Sequence, residues 1–291
     1  MIELTVKKNM GINLVDAKLI LEIFGERKNR FDRVLTLGRQ QLFFNPRRFA
    51  HWAQKHTNCG IGRVTNFLNE AQDGGVADPL FKLLGVGRVE SLDYSSYEGA
   101  SICHDLNRPI PDSLKSQFDL VFDGGTLEHV FNFPVALKNA MELVRPGGFL
   151  LSILPGNNQV GHGFYQFSPE LFHNALNKVN GFELLELIAI ELSPFHRCYR
   201  VTDPATLGER VTLTNRWPVN LFILAEKISD QPVFATPPLQ SDYQLKWKNQ
   251  NPREATSPGM MRRILRKLFG LFRPEGSGFR NPQHFTRIHL K

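Results

Sequence analysis

The chain has 291 residues, a hydrophobic fraction of 42% and a formal net charge of +7, which suits one sizeable domain with appendages and argues against intrinsic disorder. Its three cysteines, Cys59, Cys103 and Cys198, show neither metal-ligand spacing nor even pairing; no metal is expected, and a reducing cytoplasm fits. No apolar run approaches the ~20 residues of a bilayer span, and MIELTVKKNMGINLVDAK lacks the apolar core of a signal peptide.

The charge is unevenly distributed. Residues 241–291 hold 11 Lys and Arg against 3 Asp and Glu, leaving 24 against 25 in the first 240. The basic character therefore belongs to the C-terminal stretch, and the neutral remainder carries no electrostatic footprint for nucleic acid.

Along the chain, residues 13–26 place Leu14, Ala17, Leu21 and Phe24 at helical spacing. A first strand, Arg33 to Leu37, ends at Gly38 and leads into LGRQQLF. Helices are expected near Pro46 to Lys55, Ile61 to Ala71 and Asp78 to Leu84, forming a helical insert over about 41–85. Its aromatic residues Phe43, Phe44, Phe49 and Trp52 suit a core better than a stacking platform. The second strand, Arg88 to Leu92, ends in Asp93, and the third, Ala100 to His104, ends at Asp105 followed by Leu106.

The segment from Phe118 to Gly148, FDLVFDGGTLEHVFNFPVALKNAMELVRPGG, carries the strongest pattern. A short apolar run bounded by Asp119 and Asp123 suits a strand buried on both faces. Gly124 and Gly125 then permit a sharp turn and close approach to a ligand. Val135, Leu137, Met141 and Val144 form the apolar stripe of a helix that Asn132 can cap, and Phe149 to Leu154 reads as the next strand.

This stretch, with its LEHV and RPGG signatures, resembles the class I S-adenosylmethionine-dependent methyltransferases, including the type 11 and type 12 groups; the resemblance covers roughly Val34 to Lys227. It implies an α/β, Rossmann-like, doubly wound sheet of seven mostly parallel strands closed by an antiparallel last pair. It also implies S-adenosylmethionine as cofactor, near Thr36, Gly38, Asp93, Asp105, Leu106, Asp123, Gly124 and Gly125. Aligned on Gly38, Thr36 stands where the family has an acid, and Gln40 and Leu42 stand where it has further glycines. Arg39 is either a donor to the cofactor's carboxylate or a solvated loop charge. Asp93 is either a ribose acceptor or a turn initiator. By the resemblance, Asp105 meets the adenine amino group.

His129 and His162 are the candidate catalytic residues. Each has a near-neutral imidazole that could accept a proton from an attacking group. The alternatives are a packing role for His129 and simple solvation for His162, which lies between Gly161 and Gly163 in a loop from Pro155 to Phe167. A helix from Pro169 to Lys178, a strand from Phe182 to Leu192, a long excursion and a last strand in PVNLFILAEKI complete the pattern.

Residues 1–228 thus read as the methyltransferase-like domain, 229–257 as a polar, proline-rich linker, and 258–291 as a basic tail. In MMRRILRKLFGLFR the apolar residues occupy one half of a helical wheel and Arg262, Arg263, Arg266, Lys267 and Arg273 the other. Such a C-terminal basic amphipathic helix suits an anionic membrane surface, or packing on its own domain or a twin subunit. The functional expectation is methyl transfer to oxygen or nitrogen of a small-molecule, lipid-linked or glycan-precursor acceptor, in the cytoplasm or at its membrane. The alternative is a catalytically inactive binding or scaffolding relative. A nicotinamide oxidoreductase is disfavoured because LGRQQLFF lacks the glycine fingerprint for a pyrophosphate.

Overall fold

The computed structural model describes residues 11–25, 31–248 and 278–290. A two-residue strand β1 (Ile12–Asn13) leads into helix α1 (Leu14–Gly25). Strand β2 (Arg33–Leu37) is followed by β3 (Leu42–Phe43) and three helices, α2 (Pro46–His56), α3 (Ile61–Glu70) and α4 (Asp78–Leu83). Next come β4 (Arg88–Asp93), β5 (Ile102–Cys103), β6 (Phe118–Asp123), α5 (Phe133–Leu143) and β7 (Val144–Asn157). The second half contains α6 (Pro169–Ala175), β8 (Phe182–Glu191), β9 (Arg197–Val201), α7 (Pro204–Leu207), β10 (Val219–Lys227), α8 (Ser241–Lys248) and β11 (Phe285–Ile288).

The main sheet has the order β11-β9-β8-β10-β7-β6-β2-β4-β5. From β7 to β5 its five strands are parallel, and β10 runs antiparallel between β7 and β8. These seven strands are the expected sheet. From central β2 the chain winds outward through β4 and β5, then returns to β6 and β7 on the other side. The switch point between β2 and β6 opens a crevice at their carboxyl ends, where doubly wound sheets hold ligands.

Both faces of the sheet are covered. Leu120, Phe122, Phe149 and Leu151 pack toward α1 and the insert helices, whereas Val121, Leu150 and Ile223 pack toward α5 and α6. β6 is therefore buried along its whole length, as its apolar run requires. In the insert, the Phe49 ring lies 5.0 Å from Phe44, 5.9 Å from Trp52 and 5.4 Å from Phe67, so this aromatic group is core. Asp119 fastens the lower end of β6. Its buried carboxylate accepts from the Asp32 and Arg33 amides at 2.8 and 2.7 Å and pairs with Arg145 Nε.

Two strands lie beyond the expected seven. β9 falls inside the long excursion, where Cys198, Tyr199 and Val201 are buried, and β11 pairs antiparallel with it. Tyr199 stacks on Phe279 at 4.1 Å, and Phe279 meets Phe285 edge-on, so aromatic burial draws residues 279–288 of the expected tail back to the sheet. The expected linker also holds structure. Val233 is buried, and α8 is docked where Glu170 accepts from the Ser241 amide and Asp242 pairs with Arg210. The amphipathic helix expected after residue 258 lies outside the described residues. Among them, no helix is long and apolar enough to cross a membrane.

Candidate active site

The crevice is framed by the loops that leave β2 and β6. After β6, Asp123 Oδ1 accepts from the Thr126 and Leu127 amides at 2.9 and 3.4 Å and so fixes the 3-10 turn Leu127–His129. Gly125 makes the corner at φ +104°, a conformation that favours glycine. Thr126 Oγ1 donates to the Leu37 carbonyl at 2.8 Å and ties this turn to the end of β2. Asp123 is fully buried and its Oδ2 has no hydrogen-bond partner. Burial, and then the charge of Glu128, hold its carboxyl well above the usual carboxylate range.

After β2, Gly38 takes φ +71°, and a Cβ there would meet Thr126 Oγ1 at 2.7 Å. Thr36, expected near the cofactor, is buried, and its hydroxyl donates back to the Gly38 carbonyl at 2.9 Å. Arg39 pairs with Asp78 of the insert at 3.1 Å rather than standing as a solvated charge. Gln40 is buried with its amide donating to the Leu37 carbonyl at 2.6 Å. Its Oε1 occupies the space in front of Gly124, 2.5 Å from where a Cβ on that glycine would stand. Beyond it the chain is pinned: the Gln40 carbonyl accepts from Ala77, that of Gln41 from Ile12, and the Leu42 amide donates to Gly75. The positions of the family's second and third glycines thus hold a side chain that fills the crevice wall and one that enters the core.

The two acids expected to hold the nucleotide lie beside this wall. Asp93, at the end of β4, is partly exposed and accepts from the Tyr94 amide at 2.6 Å. Asp105 is partly exposed, and hydrogen bonds from Asn107, with Arg108 and His104 nearby, hold its carboxyl below the usual carboxylate range. Leu106 is buried against the α5 side of the sheet.

On the other side of β6 the loop after β7 folds over the 3-10 turn. The Phe164 amide donates to the Glu128 carbonyl at 2.8 Å, and Gly163, at φ +73°, lies so close that a Cβ would meet Glu128 Cγ at 2.9 Å. This brings His162 Nε2 to 3.3 Å from Glu128 Oε1, with His129 Nε2 at 3.8 Å. The two imidazole rings lie 5.5 Å apart. Among the described residues, this is the group whose donor atoms could hold a metal ion. Glu128 was not singled out in the sequence, where it reads as part of a family signature. Its signal was a carboxylate directly after Leu127, in the turn that follows Gly124 and Gly125.

The same loop is anchored by Gln159, whose amide donates to the Val219 carbonyl and to Asn220 at 2.8 Å each. Beside it lies a cleft of about 260 Å³, walled by Phe167, Val211, Leu213, Leu221 and Phe285. A polar cleft of about 450 Å³ lies elsewhere, at the ends of α1 and α2 against His289.

The strand order and the antiparallel β10 between β7 and β8 decide the architecture. The chain has a Rossmann-like, doubly wound α/β fold with the sheet order expected from the resemblance. No family model matches the sequence, and no curated protein matches it. Among solved structures, the chain is similar to a 1,6-didemethyltoxoflavin-N1-methyltransferase of Burkholderia thailandensis with 1,6-didemethyltoxoflavin and S-adenosylhomocysteine bound. Identity is 15%, 74% of this chain and 78% of that chain are covered, and the TM-score is 0.38. A putative methyltransferase of Bacillus halodurans is similar at 13% identity, with 74% and 100% covered and a TM-score of 0.37. A branched-chain polyamine synthase of Thermus thermophilus, in complex with N4-aminopropylspermidine and 5'-methylthioadenosine, is similar at 14% identity, with 79% and 60% covered and a TM-score of 0.35.

Proposed function

We propose that the chain is an S-adenosylmethionine-dependent methyltransferase acting on oxygen or nitrogen of a small-molecule, lipid-linked or glycan-precursor acceptor. The observation that carries this reading is the pair Asp93 and Asp105, both partly exposed beside the switch-point crevice, with Gly38 and Gly125 turning the backbone at positive φ. The crevice fits the cofactor on one condition: the Gln40 side chain must swing away from Gly124. That movement leaves the Leu37 carbonyl paired, because Thr126 Oγ1 already donates to it.

Asp93 would accept from ribose hydroxyls and Asp105 from the adenine amino group, while Gly38 and Gly125 leave room for the methionine moiety. The bound cofactor supplies an electrophilic methyl on a sulfonium, so the chain's main task is positioning. Thr126 keeps the β2 and β6 loops in register. Glu128, His129 and His162 line the acceptor side, and the adjoining cleft offers an apolar wall to the acceptor.

A second reading is a non-catalytic relative, favoured by the same Gln40, whose buried amide fills the space in front of Gly124. Calorimetric titration with S-adenosylhomocysteine separates the two. Micromolar binding is expected of the enzyme, and absence of heat from a folded sample at millimolar ligand would sink it. The catalytic unit is proposed to comprise about 1–228 together with β11, whose Phe285 walls the adjoining cleft, and the basic stretch from 258 onward is proposed to bind anionic membrane. Replacing Arg262, Arg263, Arg266 and Lys267 together by Ala keeps β11 and should reduce cosedimentation with phosphatidylserine vesicles. Unchanged cosedimentation would remove the membrane from this reading.

A further inference from the structure

Glu128 presents an electrostatic imbalance that the fold leaves unresolved. Its side chain is wholly buried, yet neither carboxylate oxygen has a hydrogen-bond partner. Five residues earlier, at the end of β6, Asp123 Oδ2 is buried and unpartnered as well. The two Glu128 oxygens are acceptors with no hydrogen bond in a buried place, and a buried carboxylate is strongly destabilising unless a charge partner stands beside it. Backbone amides do not reach Glu128, since those of Thr126 and Leu127 go to Asp123 Oδ1 and that of Phe164 goes to the Glu128 carbonyl, and the nearest side-chain nitrogens are the imidazoles of His162 and His129.

Imidazole nitrogens stand where the charge is missing. The donor atoms of Glu128, His129 and His162 all lie within 4.8 Å of one another. Two of the separations from Glu128 Oε1, 3.3 Å to His162 and 3.8 Å to His129, are near those around a single ion. With metal–ligand bonds of about 2.0–2.2 Å, donors around one tetrahedral ion stand about 3.3 Å apart. Side-chain rotation of His129, which is exposed, closes the difference. The backbone that presents these groups is already fixed: the His129 amide donates to the Thr126 carbonyl at 3.0 Å and that of His162 to the Gln159 carbonyl at 3.0 Å.

We propose that Glu128, His129 and His162 bind a divalent first-row transition ion, with zinc, manganese and iron(II) as the chemical class. Two imidazoles and one carboxylate suit such ions, and three protein ligands leave coordination positions open. The carboxylate is buried and both imidazoles are partly accessible, so the open positions face solvent. The two histidines then serve as ligands rather than as proton acceptors. Resting on the methyltransferase reading, the acceptor would be one that offers an oxygen to the ion, such as a hydroxyl, carboxylate or phosphate.

The test uses the full chain stripped with chelator and titrated with Co²⁺ as a spectroscopic probe and with Zn²⁺ and Mn²⁺ by calorimetry. Expected are one ion per chain and Co²⁺ visible bands that reflect imidazole ligation. His162→Ala and His129→Ala should each weaken binding at least ten-fold. Glu128→Gln is the third variant, and because Glu128 is buried, its circular dichroism is recorded alongside. The histidine variants keep the test decisive if it fails to fold. No binding at millimolar ion, or wild-type binding by the double histidine variant, would overturn the proposal. S-adenosylhomocysteine titration of the same chelated protein runs in parallel. Loss of one signal with retention of the other separates failure of the ion site from failure of the methyltransferase reading.

Discussion

The loops after β2 and β6 touch at the switch point, but they satisfy their polar groups in opposite ways. After β2, the Thr36 hydroxyl, the Arg39 guanidinium, the Gln40 amide and the backbone of Gln40 to Leu42 all have partners within the fold. After β6, Asp123 Oδ2 and both Glu128 oxygens are buried with none. The first loop fills its crevice side with a packed side chain, whereas the second holds buried polar atoms whose nearest side-chain nitrogens are the imidazoles of His162 and His129. Buried unpartnered atoms are uncommon in folded proteins, and three of those among the described residues fall at this one turn beside two imidazoles.

The most disruptive way to test this contrast is to remove what both loops stand on. Asp119 joins the start of β6 to the start of β2 through two amides and Arg145, far below either loop. Asp119→Ala leaves these donors facing a gap and should cost about 3–5 kcal/mol, read from urea denaturation. Both loops should fail together. A variant with wild-type stability would mean that the two loops do not share this footing.

A milder perturbation reaches the first loop alone. Asp16 lies in the first turn of α1, which follows β1, and β1 pairs with β3 at Leu42. Burial pushes its carboxyl from 3.8 up to about 7, against the Asn13 amide, which lowers it. The folded state therefore holds a proton that the unfolded chain has released, and stability falls as pH rises between these values. The contribution is complete below about pH 4 and lost above about pH 7, at about 1.4 kcal/mol per pH unit in between. Asp16→Asn keeps an acceptor for Asn13 and should flatten the change in urea midpoint between pH 5 and pH 8. An unchanged slope would assign the pH dependence to other groups.

Asp93 tests the crevice from the cofactor side. If its partly exposed carboxylate accepts from a ribose, Asp93→Ala should weaken S-adenosylhomocysteine about 10–100-fold, the worth of hydrogen bonds to a charged group. Unaltered affinity would reduce Asp93 to the turn that its bond to the Tyr94 amide makes.

Much of the frame was legible because local pattern and burial coincide. Arg33–Leu37 and Phe118–Asp123 are short, largely apolar runs buried in the sheet, Arg88–Asp93 is more polar but buried at its centre, and the three insert helices show their own periodicity. β9 and β11 were not legible. Phe285 finds Val201 only across the folded sheet, and the aromatic contacts that hold β11 are equally remote in sequence. The site divides in the same way. The acids at strand ends were visible as single residues, but the isolation of Glu128 depends on Gly163 and Phe164 folding back onto it. Charge burial is a property of the assembled loops, which no single stretch encodes.

Gln40 gives the smallest expected effect and the sharpest division between the two loops. Its amide makes one short bond, to Leu37, and this carbonyl also accepts from Thr126 Oγ1. Truncation in Gln40→Ala should therefore cost little stability while clearing the space in front of Gly124. A net hydrogen bond is worth about 1 kcal/mol, so affinity for S-adenosylhomocysteine should rise about three- to ten-fold if the wild-type side chain must leave its carbonyl to admit the ligand. The measured direction carries the meaning. Tighter binding makes Gln40 a movable plug over a competent crevice, and weaker binding makes its amide a contact to the cofactor. An unchanged constant with tight binding would place the ligand away from Gly124 altogether, and the β2 loop would then be wall and nothing more.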